Sequence, residues 1–263
     1  MREGPLPLHD LGILITRPLH QAAPLCRLFE TEGAAVTRFP AIDIQPLAGG
    51  GAPAAGGGTV GEFDLIIFSS ANAVRYGAAL LDQRRDLRLA AIGPATAQAL
   101  NQAGYRVSIR PAAGFDSENL LSQPELVSVA GHRILLVKGQ GGRDLLEQQL
   151  KQRGAVLTLA EVYRRGRPAP TAAELAALAS RFERRQIQLI TATSAEIGSN
   201  LLALATPALR RHFDAAHWLV PSARVAELLR QGGLAAPLVR AASAADQDLV
   251  SAVVRWRTSV SGA

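Results

Sequence analysis

Cys26 is the only cysteine in the chain, which excludes an internal disulfide and leads us to expect a reducing, cytoplasmic setting. Its expected role is that of a small buried hydrophobe on the first helix. Aromatic residues are scarce, at 5%, and the basic residues behind the net charge of +6 are scattered. A nucleic-acid binder concentrates such charge and interleaves it with aromatics, so no nucleic-acid partner is expected. No apolar run approaches the roughly 18 residues that a membrane span needs. The opening MREGPLPLHDLG lacks the apolar stretch of a secretory signal and reads as a short mobile extension. The five histidines, His9, His20, His132, His212 and His217, do not pair with one another or with cysteine at metal-ligand spacing. His212 and His217, five apart, would lie on different faces of a helix. Neither a metal nor another cofactor is expected.

What the chain does have is alternation of short apolar runs with helical periodicity. Arg133 to Arg165 shows it best. Ile134 to Val137 reads as a buried parallel strand. Gly139, Gly141 and Gly142 follow as a tight turn. Leu145, Leu146, Gln149 and Leu150 repeat at helical spacing, and Gly154 suits the position just past a helix end. Val156 to Tyr163 is the next strand, delivering Tyr163 ahead of Arg164 and Arg165. The first forty residues show the same order: strand Gly12–Thr16, helix His20–Glu32, Gly33, strand Ala35–Pro40. Further strands are expected at Phe63–Phe68, Leu89–Ile92, Tyr105–Ile109, Gln188–Ala192, Trp218–Val220 and Pro237–Ala241. Further helices are expected after Ser69-Ser70-Ala71-Asn72 (with Val74, Ala78 and Leu81), after Gly93-Pro94-Ala95-Thr96, from Asp116-Ser117-Glu118-Asn119 with a serine or aspartate cap, and from Asp246 to Trp256. Thr171 and Glu174 form a capping box for one more. Leu47–Gly61 is a Gly/Ala-rich stretch with too little to bury and is expected to be flexible.

The two halves repeat one another. IIFSSANAV matches LITATSAEI, and AAIGPATAQALNQAG matches HWLVPSARVAELLRQGG. Strands alternating with helices imply an α/β class with parallel sheets wrapped by helices, in two similar domains. The exits AIDIQPL and VYRRGRPAP look like linkers. If they run side by side, the chain leaves its first domain near residue 40, completes the second, and returns near residue 167.

Ligands of open parallel sheets bind at the carboxyl ends of the strands. The segments expected there are Thr16-Arg17, Ser69-Ser70-Asn72, Gly93 to Thr96, Lys138-Gly139 through Gly142-Arg143, Thr193-Ser194 and Pro221-Ser222. Each leads into a helix N-terminus, whose unpaired N–H groups and dipole favour anions. Such residues also cap helices in any protein, so it is their number that suggests a polyanionic ligand. Other chemistries fail on inspection. KGQGGRD carries Asp144 where a dinucleotide fingerprint needs glycine, and the Gly-Lys-Ser/Thr of a P-loop is missing. There is no GxSxG elbow and no evident Ser, His and acid trio. Tyr163 reads either as a linker tyrosine at a sheet edge or as a weak acid on the floor of an anion cleft.

In this order, ILITRP, FSSANAV, AIGPATAQAL, GHRILLVKGQGGRDLLEQQLKQRGA ending in VYRR, HWLVPSARVAELLRQGG and ADQDLV resemble the uroporphyrinogen-III synthase family from Gly12 to about Trp256. The resemblance implies two α/β domains joined by a two-stranded β-ladder. In this chain that means residues 1–40 with 168–263, residues 47–160, and paired linker strands 41–46 and 161–167. It implies a cofactor-free lyase, without metal, that closes on hydroxymethylbilane, removes its terminal hydroxyl as water, inverts the last pyrrole ring and yields uroporphyrinogen III. Tyr163 matches the family tyrosine considered as proton donor, Thr96 a threonine of a Gly-x-x-Thr-Ala turn, and Ser194 a serine at a strand end. At Pro221-Ser222-Ala223-Arg224 the sequence departs from a second Gly-Pro-x-Thr, so the hydroxyl there is absent or supplied by Ser222. Arg17, Lys138 and Arg143 are candidate carboxylate partners. A cytoplasmic monomer is implied, with transient contact to hydroxymethylbilane synthase and no membrane partner. The alternative is a non-catalytic, bilobal anion-binding protein.

Overall fold

The computed structural model describes residues 6–47, 59–114 and 116–261; most of the Gly/Ala-rich insert therefore lies outside the described residues. In chain order the elements begin with β1 (Gly12–Ile15), α1 (Leu19–Thr31), β2 (Ala35–Arg38), β3 (Asp43–Pro46), β4 (Leu65–Phe68), α2 (Ala71–Gly77), β5 (Leu89–Ala91) and α3 (Pro94–Gln102). Then come α4 (Ser117–Leu121), α5 (Pro124–Val127), β6 (Arg133–Gly139), α6 (Leu145–Gln152) and β7 (Val156–Gly166). The chain continues through α7 (Ala172–Glu183), β8 (Leu189–Thr191), α8 (Ala195–Leu204), α9 (Pro207–Ala215), β9 (His217–Val220), α10 (Ala223–Gln231), β10 (Leu238–Arg240) and α11 (Asp246–Ser261). It divides into two compact units at 43/44 and 165/166, so the first unit is discontinuous in sequence.

The first unit carries a five-stranded sheet in the order β10-β9-β8-β1-β2, parallel throughout. Its three central strands β1, β8 and β9 are buried on both faces almost throughout, which is why GILI, LIT and HWLV read as mostly apolar runs. On one face Ile13 and Ile15 pack with Leu25 and Phe29 of α1 and Leu249 and Val253 of α11. Elsewhere in the unit Trp218 is fully buried, stands edge-on to Phe213 and donates its indole N–H to the Phe213 carbonyl at 2.8 Å. At Gly12 a Cβ would fall 1.8 Å from the backbone oxygen of Gln186, so the two segments approach where no side chain fits. Gly12→Ala is expected to cost about 2–3 kcal/mol through overpacking against main chain, read as a lower urea midpoint with unchanged slope.

The second unit has the order β3-β7-β6-β4-β5, in which β5, β4, β6 and β7 run parallel and β3 lies at the edge beside β7. Leu65, Ile67, Ile134 and Leu136 form one core face with Leu120, Leu126, Leu146 and Leu150. α6 ends as its glycine suggests. Gly154 takes φ +82°, its N–H donates to the Lys151 carbonyl, and the Ala155 N–H donates to Leu150. The Thr171–Glu174 capping box of α7 also forms, in the first unit. In the first sheet the chain starts centrally at β1, adds β2 on one side and crosses to β8 on the other; in the second, after the edge strand β3, it does the same from β4 with β5 and β6. The strand order therefore reverses between β1 and β8 in one sheet and between β4 and β6 in the other.

Several expectations need correction. The stretch Tyr105–Ile109 is no strand: only Ile109 bridges to Ala90. The Tyr105 ring instead lies under the Arg85 guanidinium at 4.2 Å, and Pro111 has no N–H with which to continue a ladder. The opening segment is not loose in its described part, because Leu8 and Leu11 are buried in the first core and the Leu8 N–H bonds Glu32. The helix after Ser70 stops at Gly77 and tightens into a 3₁₀ turn at Ala78–Leu81. α11 runs on to Ser261. His217 is in a strand rather than on a helix; it packs on Trp256, and burial holds its imidazole below the ordinary range. No helix among the described residues is long and apolar enough to cross a membrane.

Candidate active site

In the second unit a cavity of about 400 Å³ opens at the carboxyl ends of β4 and β6. This is the point where the strand order reverses, and open parallel sheets leave a crevice there because the crossovers diverge to opposite faces. Ser69 and Ser70 come to it from the end of β4, the Gly139–Arg143 loop from β6, and Tyr163 and Arg165 from β7.

A local irregularity of β7 aims Tyr163. Lys138 pairs with Glu161, but Gly139 pairs with Tyr163, so Val162 is an extra residue in the ladder. An inserted residue breaks the period-two alternation and re-aims the side chains beyond it. Val162 and Tyr163 accordingly meet the same helix. A Cβ on Gly77 of α2 would touch Val162, while Tyr163 reaches Ser70 and Tyr76. The Tyr163 ring lies over Gly139, where a Cβ would stand 2.5 Å from Cζ and 2.8 Å from the hydroxyl. Gly139 is thus glycine because the phenol occupies its side-chain space. The positive φ values of this loop belong to Gly141 and Gly142 instead.

Tyr163 is 3% exposed, and its hydroxyl lies 3.1 Å from Ser70 Oγ. Ser70 caps α2 by accepting the Ala73 N–H at 3.0 Å. That bond uses one lone pair and leaves the serine hydrogen for the phenol oxygen, so the phenol hydrogen can point to the cavity. The N–H groups of Gly141 and Gly142 have no backbone partner among the described residues. Lys138 lines the cavity at 7% exposure, on the α6 face of β6 that also carries Ile134 and Leu136. Arg143 is exposed, 3.4 Å from Glu118. Asp116 caps α4 through the Asn119 N–H at 2.8 Å, a bond that keeps its carboxyl below the usual carboxylate range. The cavity therefore offers a phenol, cations and free amides beside a few carboxylates.

Other expected site residues are placed differently. Asn72 is buried in the first turn of α2. Gly93 holds the N-cap position of α3 and Thr96 is buried in its first turn, directly after Ile92, which lines the cavity. In the first unit Ser194 caps α8 and Ser222 caps α10, each accepting a backbone N–H three residues on. Thr16 is fully buried, its hydroxyl donating to the Thr191 carbonyl, so it joins β1 to β8. Arg17 is bound to Asp246, to the Ala244 carbonyl at 2.8 Å and to Thr193 at 3.3 Å. Its fork anchors the start of α11. Arg17→Lys is expected to cost about 1.5–3 kcal/mol, the worth of hydrogen bonds to a charged group, and to show in the melting temperature.

Sequence reasoning missed the Ser70–Tyr163 bond, the reason for Gly139, and the cavity residues Asp116, Glu147 and Arg165. The first two had no signal, since the partners of that bond are 93 residues apart. Among the described residues no group of three or more His, Cys, Asp or Glu could hold a metal ion.

Comparison with known proteins agrees with this architecture. The family described as "Uroporphyrinogen-III synthase HemD" matches residues 23–250. The uroporphyrinogen-III synthase of Escherichia coli is 34% identical over 231 residues, covering 85% of this chain and 92% of that protein. The uroporphyrinogen-III synthase of Salmonella typhimurium is 34% identical over 239 residues, with the same shares. Among solved structures, the uroporphyrinogen-III synthetase of Helicobacter pylori superposes with a TM-score of 0.60 at 15% identity, covering 94% of this chain and 99% of its own. A mutant uroporphyrinogen III synthase of Thermus thermophilus superposes with a TM-score of 0.55 at 18% identity, covering 96% of this chain and all of its own. At those identities the structures speak for the fold, and the family match with the bacterial relatives decides membership: the chain belongs to the uroporphyrinogen-III synthase (HemD) family, hydro-lyases of porphyrin and tetrapyrrole biosynthesis.

Proposed function

We propose that this protein cyclises hydroxymethylbilane to uroporphyrinogen III, with Tyr163 as the proton donor. The observation that carries the assignment of Tyr163 is that it lines the cavity with its hydroxyl held by Ser70 and its ring seated over a glycine. The phenol gives its proton to the terminal hydroxyl of the bilane. The C–O bond breaks, its electron pair leaves with water, and an azafulvenium cation remains. Ring closure through a spiro intermediate inverts the last pyrrole. The proton lost from the pyrrole carbon as the ring regains aromaticity restores the phenol. Ser70 steadies the phenolate in between. A general acid of this kind contributes about 10²–10⁴-fold.

The substrate is a polycarboxylate, and its arms set which carbon can close. Lys138, Arg143 and the amides of Gly141 and Gly142 hold arms in the second unit, and the starts of α2 and α3 offer further N–H donors there. Arg17 and Thr16 act from behind, by fixing backbone. The protein works as a cytoplasmic monomer and takes its substrate by transient contact with hydroxymethylbilane synthase. Consumption of freshly generated hydroxymethylbilane tests the reading. A rate well above spontaneous closure is expected, and a rate equal to it, from folded protein, would overturn the proposal.

A further inference from the structure

Lys138 is in an unusual situation for a nearly buried cation. Its ammonium has three donors, and none makes a hydrogen bond among the described residues. The nearest carboxylates, Asp144 at 3.6 Å and Glu147 at 3.9 Å, balance its charge without reaching bonding distance. Among the described residues no fully buried side-chain nitrogen lacks a hydrogen-bond partner, so the ammonium keeps an opening, and what it lines is a cavity of about 400 Å³.

The two carboxylates differ. Glu147 is 20% exposed and bonded to Lys151 at 2.7 Å, one helical turn on, so it is a fixed part of the wall. Asp144 is 60% exposed, and its carboxylate has no other partner among the described residues. It also occupies the N-cap position of α6 without capping it. An aspartate at that position normally accepts an N–H from the first turn. Its backbone, at φ −93° and ψ 6°, is not in the extended conformation of a capping residue, so Asp144 has a second place to go, its own helix start, which it reaches by turning backbone as well as side chain.

We infer that Lys138 is the seat of one carboxylate arm of the substrate, and that Asp144 is a resident stand-in which the arm displaces. This rests on the reading of the substrate given above. When the arm arrives it takes the Lys138 donors, and Asp144 turns back to cap α6. The exchange keeps the cation neutralised in both states. It also makes arm binding a competition, so that only a well-placed carboxylate wins the seat.

The experiment uses the full chain and two readouts: KM for hydroxymethylbilane, and the Kd of uroporphyrin III by fluorescence titration, which needs no turnover. Asp144→Asn keeps a good capping residue but removes the competing charge. It is expected to lower both constants three- to tenfold. Lys138→Met is expected to raise both at least tenfold, and Lys138→Arg to restore them to within threefold of wild type. In the Lys138→Met background, Asp144→Asn should move either constant less than twofold, because the competition has lost its object. Full persistence of the Asp144→Asn effect there would mean long-range charge and would overturn the proposal. So would unchanged or higher constants for Asp144→Asn alone. If Lys138→Met fails to fold, the Asn and Arg variants still decide. Protein that binds uroporphyrin III in the expected order but makes no isomer III would keep the seat and overturn the catalytic reading. Isomer III production with both constants unmoved by Asp144→Asn would do the reverse.

Discussion

Replacing Tyr163 by phenylalanine is expected to slow turnover of hydroxymethylbilane at least tenfold while folding is retained. The substitution removes one oxygen and leaves the ring, so the packing over Gly139 and against Tyr76 is kept. Ser70 keeps its capping bond to Ala73 and loses only the phenol. What disappears is the proton for the leaving hydroxyl, an effect of about 10²–10⁴-fold for a true general acid. The loss should lie in kcat, since the phenol acts at the C–O bond and the carboxylate anchors are untouched. A steady-state assay checks this, and a rate within twofold of wild type would remove Tyr163 from the chemistry.

Gly139→Ala is expected to produce a similar loss without altering any group that reacts. The new Cβ would stand 2.5 Å from Cζ, 2.7 Å from Cε2 and 2.8 Å from the hydroxyl of Tyr163. The ring is bonded to Ser70 and nearly buried, so it has to leave its seat. A displaced phenol cannot donate at the right place, and a shift of about 1 Å is known to cost about 10²-fold. Some stability goes as well, about 1–3 kcal/mol for overpacking. The diagnostic is non-additivity. The double variant Gly139→Ala, Tyr163→Phe should be no slower than the slower single variant, because both act on one phenol. Multiplied losses in the double variant would show that Gly139 acts by another route.

Much of this fold could be read from the chain alone, and the reason is physical. Strands buried on both faces must be apolar throughout, so the β1, β4 and β6 segments declare themselves. Caps are local, so Thr171 could be placed from a few residues, and the Ser69-Ser70 and Asp116-Ser117 pairs marked the starts of α2 and α4. Tyr163 stood out because it ends an apolar run ahead of two arginines. Its aim did not, because a bulge at Val162 depends on how two strands align, and no single strand encodes that. Gly139 read as a turn glycine since its actual neighbour, the Tyr163 ring, is distant in sequence. Arg17 looked like a free anchor because its partner Asp246 is 229 residues away. Leu8 reads as part of a loose extension because Leu6, Leu8 and Leu11, set among prolines and polar residues, show no sustained period. Local rules could name the groups at the site. Only tertiary pairing could say which of them are engaged elsewhere.

The most direct test of the central claim is the isomer composition of the product. Hydroxymethylbilane is generated in situ by a purified hydroxymethylbilane synthase, this protein is added, and the oxidised product is separated by chromatography. Uroporphyrin III in clear excess over isomer I is the expected result, since spontaneous closure gives the un-inverted ring. Isomer I alone, from protein shown to be folded, would contradict the account.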